Sequence, residues 1–121
     1  MKKIFLCLCL GAFSLFAKDL SPQELNDMKK ELNESMMKMH SKMQAGMNEN
    51  DPDIAFVAGM LPHHIGAVDM AKIVLKYGED ENIKKLANDI IKAQEIEIKF
   101  MQEYLEKKGY KYPEAINHHQ H

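Results

Sequence analysis

Three helix frames, each opened by a capping residue, leave this chain little choice of architecture. The first opens at Ser21-Pro22-Gln23-Glu24. The serine can cap, the proline suits the first helical position, and the glutamate completes a capping box. This helix is predicted to run to Met47, with Gly46 and the Asn48-to-Asp53 stretch marking its end. Asp51 caps a second helix, Pro52 sits in its first turn, and Gly78 stops it after Tyr77. Asp80 caps a third, expected over Glu81 to Lys108 with Gly109 beyond it. No segment after the first seventeen residues alternates with period two for long, so no strand is expected. Short connections make successive helices antiparallel neighbours. The expected fold is all-α, an antiparallel bundle of three main helices.

Ahead of these frames lies a different kind of segment. Lys2 and Lys3 precede an apolar run from Ile4 to Phe16, and Ala17 ends it. That is the layout of a secretory signal peptide, and the run is short for a membrane span. The expected organisation is a signal peptide at 1–17, a bundle at 18–112 and a His-rich tail at 113–121. The expected location is the periplasm or outside the cell.

Removing the leader changes what chemistry is available. Cys7 and Cys9 leave with it, so neither disulfides nor thiol catalysis remain. Fourteen lysines and no arginine stand against eighteen acidic residues. This mild acidity argues against nucleic acid and against binding to an anionic membrane surface. Nine of the ten methionines stay.

The second helix carries "GMLPHHIGAVDM", Gly59 to Met70. Met60 and His64 are one turn apart on one face. His63 lies on the other side of Met60, and Met70 falls near His63's side. Adjacent histidines diverge by about 100° on an ideal helix. Pro62 gives no N–H to the Ala58 carbonyl and opens that turn. The expected results are a re-aimed His63 and a free carbonyl nearby. Gly59 and Gly66 let another helix come close. Thioethers select Cu(I), and imidazole suits copper in either oxidation state. Calcium and magnesium want oxygen, and structural zinc usually recruits cysteine. Together Met60, Met70, His63 and His64 point to copper.

In "ESMMKMHSKMQAGM" of the first helix, Met36, Met39, His40, Met43 and Met47 share a stripe with Leu25 and Leu32. A methionine stripe is commonly an adaptable core, and this one can equally line a gap where metal enters. The tail histidines His118, His119 and His121 can bind Cu(II), Ni(II) or Zn(II) without fixed geometry. The third helix has an apolar stripe at Ile83, Leu86, Ala87, Ile90, Ile91, Ile98, Met101 and Leu105. Gln94, Glu97 and Met101 share a face there, which allows a polar contribution opposite the histidines, although spacing alone favours a solvated face for Gln94 and Glu97. No histidine has a glutamate three residues before it, as a di-iron bundle enzyme requires. Ser21, Ser35 and Ser41 lie outside any nucleophile-elbow context. No enzyme is expected.

"FVAGMLPHHIGAVDMA" followed by "IIKAQEIEIKFMQEYL" resembles the secreted domain-of-unknown-function family 305, whose CopM-like members bind copper. The likeness covers about Asp53 to Leu105. It implies a ferritin-like bundle and a role in periplasmic copper or silver handling. It places metal binding on Met60, His63, His64 and Met101, with Gln94 supporting them. Tyr104 departs from the tryptophan common there, which bears on packing and not on ligation. The resulting expectation is a protein that sequesters copper or passes it to an exporter or oxidase. The rival expectation is a metal-free helical module whose methionine face holds a partner protein.

Overall fold

A computed structural model describes residues 19–114. The leader at 1–17 and the tail histidines lie outside the described residues. Helices α1 (Pro22–Met47), α2 (Pro52–Tyr77) and α3 (Glu81–Lys107) account for most of what is described. The caps act as their chemistry predicts. The Ser21 hydroxyl accepts the Glu24 N–H at 3.2 Å while the Glu24 carboxylate accepts the Ser21 N–H at 2.9 Å. Asp51 accepts the N–H groups of Asp53 and Ile54, and Asp80 those of Asn82 and Ile83. Each pair satisfies donors that a helix start leaves unpaired. Gly109 takes φ +69°, a left-handed turn that suits glycine. Gly78 ends α2 in extended backbone instead.

α2 is the middle element. α1 and α3 both pack on it and, among the described residues, make no close contact with each other. Both packings are antiparallel. On the α1 side, Gly46 lies against Ala58, the Met39 sulfur sits over Gly66, and Glu31 takes hydrogen bonds from Lys76 and Tyr77 near the other end. A Cβ on Gly46 would fall 2.5 Å from the Ala58 carbonyl carbon. Gly46 is therefore the point of closest helix approach as well as a boundary marker. On the α3 side, Val57, Ala58 and Leu61 form one buried cluster with Met101 and Leu105. Ile83 and Leu86, expected in the α3 stripe, are exposed at its first turns.

After α3 the chain doubles back. Tyr110 and Tyr112 pack against that cluster, with their rings edge to face at 5.1 Å. The Tyr112 hydroxyl donates to the Ala58 carbonyl at 2.7 Å. This carbonyl is the one that Pro62 leaves without a helical donor. The expectation of a free carbonyl beside Pro62 is corrected: a phenol from the C-terminal strap occupies it. Burial pushes the Tyr112 phenol well above the usual phenol range, with the neighbouring Tyr110 adding to the rise. The Lys42 ammonium lies 5.3 Å from the Tyr112 ring centre. The strap thus ties the end of α3 to α1 across one side of α2.

Candidate metal centre

The α2–α3 seam carries the polar contact that defines the site. His64 lies one turn after Met60, so its ring folds back along the helix and Nδ1 reaches the Met60 carbonyl at 2.9 Å. A carbonyl can only accept, so Nδ1 holds the proton. The other nitrogen, Nε2, faces the Glu97 carboxylate at 2.6 Å. Nε2 and the carboxylate are hydrogen-bonded at this distance, and 2.6 Å leaves no room for a metal ion between them. An imidazole whose Nδ1–H is held by a backbone carbonyl is oriented as metal-ligating histidines usually are. The His64 side chain is 12% exposed and that of Glu97 is 64% exposed. The contact therefore sits at the rim of the seam.

Antiparallel register places thioethers on both walls. Met60 precedes His64 by four residues, and Met101 follows Glu97 by four. Met60 packs against the cluster that holds buried Met101. Gln94, three residues before Glu97, has its Oε1 buried with no hydrogen-bond partner. His63 is exposed, and its ring centre lies 6.0 Å from that of His64 at 64°. With metal–nitrogen bonds of about 2 Å, two imidazoles on one ion have centres roughly 5–6 Å apart. That separation is compatible with a shared ion, although Pro62 does not swing His63 into the seam. Among the described residues no group of three or more His, Cys, Asp or Glu side chains is placed to hold a metal. A site built from three such side chains is thus not assembled among the described residues.

The structure divides the remaining candidates. Met70 is exposed, two turns beyond His63, and does not join the His64–Glu97 contact. Met36, Met39 and Met43 are half-buried on α1, while His40 and Met47 are exposed. Met39 lines a cavity of about 60 Å³ beside Pro62, with Lys38 and Lys42 among its walls. Asp69 also lines it, so two ammonium groups stand against one carboxylate and the net positive charge opposes entry of a cation. Among the described residues α1 packs on α2 and not on α3; of its methionines, Met39 covers Gly66 and Met47 lies beside Gly59, next to Met60 in sequence. Glu97 fits both readings its spacing allowed: its carboxylate is 64% exposed, and it also stands opposite the histidines, bonded to His64. The available signal was its place one turn before Met101, on the side of α3 that also carries Gln94.

Fold and seam together define an all-α protein with imidazole and thioether side chains gathered between two antiparallel helices. The sequence profile of the family described as a domain of unknown function (DUF305) matches residues 14–105 and, overlapping them, 53–121. The chain belongs to this family. An uncharacterized protein of Acanthamoeba polyphaga mimivirus is 39% identical over 56 residues, which is 46% of this chain and 37% of that protein. The match spans well under two thirds of the viral relative.

Proposed function

We propose that this chain is an exported, CopM-like member of its family that binds Cu(I), or Ag(I), and buffers it or hands it on. The observation that carries this reading is His64. Its Nδ1 proton is held by the Met60 carbonyl, and its Nε2 is directed to the rim of a seam walled by Met60 and Met101. Thioethers bind soft monovalent ions without deprotonation and persist where cysteines would oxidise. The partnerless Gln94 Oε1 suits a supporting role, since a bound water could donate to it. Copper is cargo in this reading, held at a partly exposed rim from which it can leave. Hand-over to an exporter or oxidase is the corresponding partner role. The leader at 1–17 would deliver the chain to the periplasm, where such cargo is handled.

The test is anaerobic Cu(I) titration against a chromogenic chelator. His64→Ala and Met101→Leu should each weaken binding by tenfold or more, while deletion of residues 115–121 leaves the tight site in place. Unchanged affinity in His64→Ala overturns the proposal.

A further inference from the structure

Two carbonyls of one α2 turn take side-chain donors. Pro62 has no N–H for the Ala58 oxygen, and the Tyr112 hydroxyl serves it at 2.7 Å. Two residues on, the Met60 oxygen holds His64 Nδ1 at 2.9 Å. The Met60 side chain packs on the buried cluster that contains Ala58 and Met101, and the rings of Tyr110 and Tyr112 pack on that same cluster. The strap also begins there. Gly109 makes the turn, and the Tyr110 N–H donates to the carbonyl of Leu105, a member of the cluster, at 3.0 Å. Both attachments of the strap therefore belong to the cluster that includes one thioether and supports the other.

We propose that Tyr112 is a positioning residue for the copper site, so that docking of the strap and retention of the ion are coupled. This inference rests on the copper reading above and adds a device that controls release. Ala58 is 0% exposed. Without the phenol its oxygen needs another donor, and the turn opened by Pro62 is where a water would insert. Such a rearrangement shifts the Met60 carbonyl, and with it the hold on the His64 ring. Ligands bind an ion well only when held within about 0.5 Å of the productive geometry. A phenol that served stability alone would lower the melting temperature and leave the folded chain's affinity as it was. The coupling runs both ways: if the docked strap favours the ion, the bound ion favours the docked strap to the same degree. Lys111, exposed on the strap beside Tyr112, offers a cleavage point that reports docking.

The test is anaerobic Cu(I) titration of the full chain after export, well below its melting temperature. Tyr112→Phe should weaken binding by about fivefold or more. Ala87→Gly, at a buried site of α3 seven residues before Gln94, lowers stability away from the turn and should leave affinity within about twofold. In Pro62→Ala, which gives the Ala58 oxygen its donor back, Tyr112→Phe should have little effect on affinity. Saturation with Ag(I) should slow cleavage after Lys111 by a lysine-specific protease about fivefold or more. In the metal-free chain, Tyr112→Phe should speed hydrogen exchange at the His63 and His64 amides. Unchanged exchange there, or an equal loss of affinity in Ala87→Gly, overturns the inference. Unchanged affinity in Tyr112→Phe where His64→Ala weakens binding overturns this inference alone, whereas unchanged affinity in His64→Ala takes the copper reading down with it.

Discussion

Replacing Tyr112 with phenylalanine removes one oxygen and should cost far more than a surface change. Its hydroxyl donates at 2.7 Å to the Ala58 carbonyl. Ala58 is 0% exposed, and Gly46 is packed against the same carbonyl, so water is a poor substitute. An unpaired buried acceptor costs about 1–3 kcal/mol. At about 4–8 °C per kcal/mol for a domain near this size, a mid-range cost of ~2 kcal/mol lowers Tm by about 8–16 °C. The assay is thermal melting at fixed protein concentration, since any self-association makes Tm concentration-dependent. Urea unfolding with a check on the m-value gives a second measure. The reasoning makes a sharper demand through Pro62→Ala, which restores the N–H that Ala58 lacks. In that background Tyr112→Phe should cost under about half as much, a coupling of about 1 kcal/mol or more. Equal costs in both backgrounds would show that the phenol does not stand in for the missing donor.

Two other outcomes follow from the same neighbourhood. Gly46→Ala should destabilise by about 1–3 kcal/mol, because its Cβ meets Ala58 backbone that cannot yield. Gly66→Ala should cost less, since the nearest atom, at 2.6 Å, is the flexible Met39 sulfur; denaturant titration of the two variants decides the order. The raised Tyr112 phenol contributes stability that is present in full below the ordinary phenol pKa of about 10. That stability is lost as pH climbs through the higher folded value, so melting temperature should fall at alkaline pH. In Tyr112→Phe this part of the alkaline slope should be absent.

Much of the fold was legible because helix boundaries are local chemistry. Ser21 with Glu24, Asp51 with Pro52, and Asp80 each act within three residues. The resulting bounds match the structure to within a residue. What escaped depends on register between helices. Glu97 lies 33 positions from His64, and Tyr112 lies 54 from Ala58. Helical periodicity assigns a residue to a side but does not say which neighbour stands opposite. The α1 stripe shows the same limit. Its methionines share a side on paper, yet α1 has one packing partner, so Met39 is covered while His40 and Met47 face outward.

The C-terminal strap also decides what a break late in the chain would do. Without Tyr112 the Ala58 oxygen has no protein donor, because Pro62 cannot serve it. Clipping between α3 and Tyr112 should leave α1 and α3 each packed on α2, while removing the Lys42–Tyr112 contact that joins the strap to α1.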